Sequence, residues 1–178
     1  MYAFPGKVVR PTKYKMKTLL ILRHAKSSWK NTGLADHDRP LTKRGKRDAP
    51  RMGRLLRDEN LTPDLILSST AKRALDTAEA VAEASGYEGE VESRPEFYMA
   101  GPEAYLRALR ALSDDYECVM VIGHNPGLEE LVEVLTGEAE AMPTAALAQV
   151  ELTLKRWRDL SDETEGKLVN AWRARELE

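Results

Sequence analysis

Two histidines and two arginines of this 178-residue chain follow apolar runs of the sequence: Arg23, His24, Arg73 and His124. The fork of a guanidinium matches two phosphate oxygens, so arginine is well suited to clamp a phosphate group. A neutral imidazole is nucleophilic near pH 7 and needs no metal to attack phosphorus. Together these residue types predict a small cationic pocket in which a phosphoryl group is transferred to histidine.

The turn that contains His124 has its own local chemistry. Gly123 allows a tight turn, Asn125 is a good helix N-cap, and Pro126 suits the first helical position, with a stop at Gly137. The sequence therefore predicts that a helix begins directly after His124. Free backbone N–H groups and the positive end of the helix dipole would favour an anion there, and Asn125 joins the predicted phosphate-binding set.

The elements that position these residues alternate along the chain. Short, continuously apolar runs predict central strands of a parallel sheet at residues 18–22, 65–67 and 118–122. Weaker strands are predicted at 90–93 and 149–154, with an antiparallel edge at 168–172. Helical spacing of apolar residues predicts helices at 42–60, 70–85 and 102–113. This order predicts a three-layer α/β/α sandwich around a mostly parallel open sheet, with ligands at the carboxyl ends of its strands.

Length and composition exclude several classes of protein. The chain suits one domain, predicted at 17–178, preceded by a flexible extension at 1–16. Its 27 Lys and Arg against 29 Asp and Glu give a net charge of −2, which argues against nucleic acid as a partner. The single cysteine, Cys118, excludes an intramolecular disulfide. With no long apolar run, we expect a cytoplasmic protein without a membrane partner.

The motifs around these residues resemble the histidine phosphatase superfamily, whose signature is an Arg-His pair after the first strand. Residues 69–74 resemble its second-arginine motif, and residues 123–125 resemble its second-histidine motif. Within the superfamily, residues 22–27, 38–45 and 98–101 look most like the small SixA-type phosphohistidine phosphatases. The resemblance covers residues 17 to about 154 and implies the phosphoglycerate mutase-like variant of the α/β/α fold.

The resemblance implies a role for each matching residue. His24 becomes the nucleophile that carries the phosphoryl group, Arg23 and Arg73 clamp the phosphate, and a protonated His124 stabilises the transition state. Attack by water on phospho-His24 would complete hydrolysis with net retention at phosphorus. The general acid for the leaving group is left open between Glu96, Asp38 and no residue at all, and a phosphohistidine leaving group needs an acid least.

Substrate and ligands follow from the length of the chain and from one polar loop. No insertion is long enough to wall in a small molecule, so the open pocket favours phosphohistidine carried on another protein. The alternatives are a phosphatase of a small phosphomonoester and a non-catalytic phosphate-binding module. His37 lies between Asp36 and Asp38, but the sequence favours a solvated loop there over a metal site, and we expect no cofactor. Alternatively, this loop borders the pocket, with Arg39 touching substrate. A monomer is compatible with these features.

Overall fold

Strands and helices alternate through residues 16–177, the part of the chain that this computed structural model describes. The strands are β1 (Lys17–Arg23), β2 (Leu65–Ser69), β3 (Val91–Arg94), β4 (Cys118–Gly123), β5 (Ala146–Leu152) and β6 (Gly166–Arg173). The α-helices are α1 (Lys43–Asp58), α2 (Lys72–Ser85), α3 (Pro102–Arg110) and α4 (Gly127–Thr136). Apart from residue 16, the predicted extension at 1–16 lies outside the described residues, so the boundary at residue 17 stays a prediction. No helix within 16–177 combines the length and apolar character needed to span a membrane.

The six strands form one sheet in the order β3-β2-β4-β1-β5-β6. The first four strands of that order are parallel, and β5 and β6 run antiparallel to their neighbours. Both the parallel centre and the antiparallel edge agree with the sequence-based prediction. Parallel strands share their carboxyl ends, so the residues after β1, β2 and β4 meet at one edge of the sheet.

Each face of the sheet is covered by two helices. Leu19 and Ile21 of β1 belong to the core on the side of α3 and α4, whereas Leu20 and Leu22 belong to the core on the side of α1 and α2. All four side chains are fully buried. This alternation explains why β1 is apolar at every position, and it confirms the predicted three-layer sandwich.

Two predicted boundaries were wrong by three residues, more than any of the others. Strand β5 begins at Ala146 rather than residue 149, because Ala146 and Ala148 pair with neighbouring strands although alanine has little intrinsic preference for strands. Helix α3 ends at Arg110 rather than residue 113, since the Ser113 hydroxyl accepts a hydrogen bond from the Asp115 N–H and begins a turn.

The predicted cap of α4 was also wrong. Asn125 does not cap the helix, because its side-chain amide donates to the Met142 carbonyl, and Pro126 occupies the N-cap position. The backbone still turns where the sequence places the turn, since the His124 carbonyl accepts from the Leu128 N–H. Gly127 lies so close to another loop that a Cβ there would be 1.9 Å from the Ala100 carbonyl oxygen. The loop before α3 is thereby held against the turn that carries His124.

Candidate active site

The four residues predicted from the strand ends come together at one edge of the sheet. Arg23 and Gly123 are register partners on the adjacent strands β1 and β4, so His24 and His124 follow side by side, with ring centroids 5.1 Å apart. Arg73, in the first turn of α2, contacts both rings. These side chains line a cavity of about 250 Å³, and both histidines and Arg73 are buried. The arrangement has the positive charge and the size to hold a phosphate group.

Hydrogen bonds fix which ring nitrogen of His24 carries the proton. Its Nδ1 lies 2.8 Å from the Ala25 carbonyl oxygen, which can only accept, so Nδ1 carries the hydrogen. Its Nε2 lies 3.4 Å from the Arg73 Nε, whose N–H can only donate, so Nε2 keeps its lone pair. Burial, the largest cause, lowers the pKa of His24 to about 3. At neutral pH the ring is therefore an uncharged nucleophile with its reactive nitrogen beside Arg73.

His124 is held in the opposite tautomer. Its Nδ1 lies 3.4 Å from the Arg73 Nη2 and must accept, so Nε2 carries the hydrogen and donates to the Ser69 hydroxyl at 2.8 Å. Burial first, and then the positive charge of Arg73, lower the pKa of His124 to about 4. Without an anion in the cavity the His124 ring is therefore uncharged at neutral pH, and its protonation in the transition state stays a prediction. A bound phosphate dianion would raise this pKa, because it places negative charge beside the ring.

The two arginines differ in how they are held. Arg73 donates to His24 and His124, and it also donates to the backbone oxygen of Asp36 at 2.6 Å and to the carboxylate of Asp36 at 3.0 Å. Arg23 donates from Nη1 to the Met142 carbonyl at 2.9 Å. Its buried Nε has no hydrogen-bond partner among the described residues. An anion in the cavity would satisfy this donor, as expected for a phosphate clamp.

Asp36 is the main site residue that the sequence analysis missed. Its Oδ1 accepts from the Arg39 Nη1 at 2.6 Å, and its Oδ2 accepts from Arg73 and from the Tyr98 hydroxyl at 2.8 Å. Hydrogen bonds from Tyr98, Arg39 and Arg73, with the charge of Arg73, outweigh desolvation and lower the pKa of Asp36 to about 2. Arg39 also lines the cavity, as the alternative interpretation of this loop expected.

The two predicted acids lie elsewhere. Glu96 is exposed on a 3₁₀ turn (Pro95–Phe97) and does not line the cavity, because that turn directs the neighbouring Phe97 into the core. Asp38 is exposed too, and its carboxylate lies 3.4 Å from Nδ1 of the His37 ring. Asp36 is the one carboxylate among the described residues that line this cavity. Asn125 does line it, with its buried Oδ1 unpaired in the described part of the chain.

The two lowered histidine pKa values predict how stability depends on pH. Below about pH 6.5 the unfolded chain binds protons on these histidines, whereas the folded chain does not until the pH approaches 4 and 3. Stability should therefore decrease as the pH is lowered, and we expect the free energy of unfolding to drop by about 4 kcal/mol between roughly pH 7 and pH 5. Urea denaturation at both pH values measures this change. The double variant His24→Gln/His124→Gln should lose most of this pH dependence. If its stability changed with pH as much as that of the wild type, the two histidines would not be buried in the neutral form.

The comparisons with known proteins agree with the geometry of the site. Residues 19–98 match the model of the histidine phosphatase superfamily (branch 1). An uncharacterised chloroplast protein of Arabidopsis thaliana is 35% identical over 152 residues, which cover 80% of this chain and 70% of that protein.

Two solved structures share the fold over nearly their whole length. One, from Agrobacterium tumefaciens and assigned as a phosphohistidine phosphatase SixA, is 30% identical with a TM-score of 0.76, covering 88% of this chain and 97% of that one. The other is the protein histidine phosphatase SixA complexed with tungstate, which is 25% identical with a TM-score of 0.77, covering 90% and 99%.

Proposed function

The chain belongs to the histidine phosphatase superfamily and is a phosphatase, and we propose that it hydrolyses phosphohistidine on another protein through a covalent intermediate on His24. The observation that carries this proposal is the fixed tautomer of His24. The Ala25 carbonyl holds the proton on Nδ1, and the Arg73 guanidinium faces the lone pair on Nε2. The reactive nitrogen therefore lies next to a group that binds phosphate oxygens.

The reaction proceeds in two in-line transfers. His24 Nε2 attacks phosphorus while Arg23 and Arg73 hold the equatorial oxygens, and the bond from phosphorus to the substrate breaks. Water then attacks phospho-His24 from the side that the leaving group has vacated. His124 assists both steps as its pKa rises beside the phosphoryl group, and Asn125 lines the same cavity. The related SixA structure is complexed with tungstate, which agrees with a site for tetrahedral oxyanions in this family. No step needs a metal ion, because a neutral imidazole is already the nucleophile.

The chemistry of the leaving group favours phosphohistidine over a phosphate ester. An alkoxide leaves poorly unless an acid protonates it, and the carboxylate of Asp36 is ionised at neutral pH because its pKa is lowered to about 2. Glu96 and Asp38, the other candidates, do not line the cavity. An imidazole leaves without that help when its second nitrogen already carries a proton. The pocket therefore suits a phosphorus–nitrogen bond.

The mouth of the cavity supports a protein as the carrier of the phosphoryl group. Trp29 and Met99 are the most exposed large apolar side chains of the described residues, at 69% and 72%, and both line this cavity. Arg39 supports Trp29, since its guanidinium lies 3.3 Å from the centre of the ring. A free phosphate ester would leave these surfaces in water. A polypeptide that carries phosphohistidine would cover them.

Replacing Trp29 by alanine should affect KM for protein substrates more than KM for small ones. We expect KM for a phosphohistidine protein to rise about tenfold, because an exposed aromatic at a binding surface commonly contributes that much. KM for p-nitrophenyl phosphate should change far less, since this substrate reaches the pocket without covering the rim. Steady-state kinetics on both substrates measure the split, with Val134→Ala as the control, an exposed apolar residue that does not line the cavity. Equal changes for both substrates would contradict a docking role for Trp29.

A side-by-side turnover assay tests the proposed function. The substrates are a protein phosphorylated on histidine, a phosphoserine peptide and p-nitrophenyl phosphate, each in the presence and absence of a metal chelator. We expect phosphohistidine to be hydrolysed fastest, with no effect of the chelator. Faster hydrolysis of the phosphoserine peptide, whose alkoxide needs an acid, would support a phosphomonoesterase instead. Turnover of p-nitrophenyl phosphate shows only that the phosphate pocket is active, because its leaving group needs no proton. Phosphate binding without turnover of any substrate would support a binding module.

A further inference from the structure

An ionised carboxylate in a pocket built for an anion requires an explanation. On the premise that phosphohistidine is the substrate, we propose that Asp36 accepts a hydrogen bond from the distal N–H of the substrate's imidazole, and so selects phosphohistidine over phosphate esters. Asp36 would then determine specificity for the leaving group by accepting a hydrogen bond from it. The sequence had suggested only general acids for the leaving group.

The contacts of Asp36 place it beside the reacting atoms and leave it able to accept more. One guanidinium, that of Arg73, donates both to the Asp36 carboxylate and to the nucleophilic nitrogen of His24. Oδ2 already accepts from Arg73 and Tyr98, whereas Oδ1 accepts only from Arg39 among residues 16–177, and 38% of the side chain is exposed. A carboxylate oxygen can accept about two hydrogen bonds, so Oδ1 can take one from a substrate.

The proton balance of the first transfer shows what this contact does. The electron pair of His24 Nε2 forms the new bond to phosphorus, and the pair of the old phosphorus–nitrogen bond returns to the departing ring. If the distal nitrogen of that ring carries a proton, the group leaves as neutral imidazole. Without that proton it would leave as an imidazolide anion, a far poorer leaving group. A carboxylate hydrogen-bonded to the distal N–H keeps the proton in place, because it favours the cationic form of the phosphorylated ring.

His24 has the same kind of hydrogen-bond acceptor at its own distal nitrogen. In the second transfer His24 is the leaving group, and the Ala25 carbonyl holds the proton on its distal nitrogen, Nδ1. Both transfers break a bond between phosphorus and a histidine nitrogen, so both need a distal proton. Ala25 meets this need on the protein side of the phosphorus, and Asp36 meets it on the substrate side.

The same negative charge disfavours phosphate esters. An ester oxygen has no N–H to offer, so its phosphate brings only negative charge towards the Asp36 carboxylate. The cationic ring of a phosphohistidine compensates that charge. Asp36 therefore contributes selectivity through repulsion as well as through attraction.

Replacing Asp36 by asparagine tests the inference, because asparagine keeps the size and removes the charge. We expect Asp36→Asn to lower kcat for a phosphohistidine protein by roughly 10- to 100-fold more than it lowers kcat for p-nitrophenyl phosphate, whose leaving group needs no proton. The matched control is Asp38→Asn, two positions along the same loop, which is exposed and contacts His37 rather than the arginines. Its substrate preference should stay close to that of the wild type.

The pH profile of kcat gives a second readout that a purely structural role would not move. The charged or titratable groups that face Asp36 are Arg39, Arg73 and Tyr98, and His37 lies in the same loop. The pKa of Tyr98 is raised, mainly by its hydrogen bond to Asp36. His24 and His124 titrate on the acid side. The alkaline limb of kcat for phosphohistidine then reports the distal N–H of the bound substrate. Asp36→Asn should move that limb to lower pH.

The outcomes separate this inference from the proposed function. In one outcome the wild type hydrolyses phosphohistidine, but Asp36→Asn lowers kcat equally for both substrates and leaves the pH profile unchanged. Asp36 then only positions the arginines, and the inference is overturned. If the wild type does not hydrolyse phosphohistidine at all, the proposed function fails, and the inference fails with it.

Discussion

Replacing His24 by alanine is expected to lower kcat/KM for a phosphohistidine protein by about 10⁴-fold or more, the scale on which nucleophile removal acts in covalent catalysis. The variant removes the only atom that can receive the phosphoryl group in the proposed first step. Phosphate binding should be reduced far less, because Arg23, Arg73 and His124 remain. Single-turnover kinetics and phosphate titration by calorimetry measure the two effects separately.

The chain offers a matched control for this variant. His37 is the third histidine of the sequence, and it lies outside the cavity, with Nε2 bonded to the Thr70 hydroxyl. His37→Ala should keep kcat/KM within about threefold of the wild type, as expected for a side chain that touches neither phosphate nor leaving group. A His24→Ala variant with substantial turnover would mean that another group, or water itself, attacks phosphorus.

Replacing Arg73 by alanine is the second large expected effect, with a loss of about 10³-fold in kcat for phosphohistidine. Arg73 contacts both histidines and Asp36, so its loss removes a phosphate clamp and also removes the ion pair that holds the loop of Asp36 in place. Arg73→Lys should recover only part of this loss. A lysine keeps the charge but cannot donate to several of these groups at once.

Lys72→Ala is the control for the arginine variants. Lys72 precedes Arg73 in α2, is half-exposed, and forms an ion pair with Asp76 on the helix surface at 3.0 Å. Exposed pairs of this kind contribute little, so its kinetics should match those of the wild type. If Lys72→Ala and Arg73→Ala lost activity to the same extent, the effect would come from the stability of α2 and not from the clamp.

The convergence of Arg23, His24, Arg73 and His124 could be predicted from the sequence for a simple physical reason. Each lies at or just after the carboxyl end of a buried strand. Parallel strands share their carboxyl ends, so these residues meet at one edge of the sheet regardless of the loops between them. The apolar character of β1, β2 and β4 therefore carried most of the information about the site. The start of β5 was predicted three residues too late, because Ala146 and Ala148 are weak strand formers.

The acidic partner of the arginines could not be predicted in the same way. The contact between Asp36 and Arg73 joins residues 37 positions apart and depends on the path of an irregular loop. The sequence offered two candidate acids, Glu96 and Asp38, and nothing in the spacing of the acidic residues pointed to Asp36, the one that reaches the cavity. In the structure, the 3₁₀ turns at Asp36–Asp38 and Pro95–Phe97 determine which carboxylate reaches the cavity. The second of these turns buries Phe97, exposes Glu96 and is followed by Tyr98, whose hydroxyl reaches Asp36.

The stereochemical course at phosphorus tests the covalent mechanism most directly. The measurement follows a chiral, isotopically labelled phosphorothioate substrate through hydrolysis in labelled water and determines the configuration of the inorganic thiophosphate. Two in-line transfers, first to His24 and then to water, predict net retention of configuration, and this holds even if the phosphorylated intermediate never accumulates. Net inversion would mean a single direct attack by water, and it would contradict a phosphoryl group carried on His24.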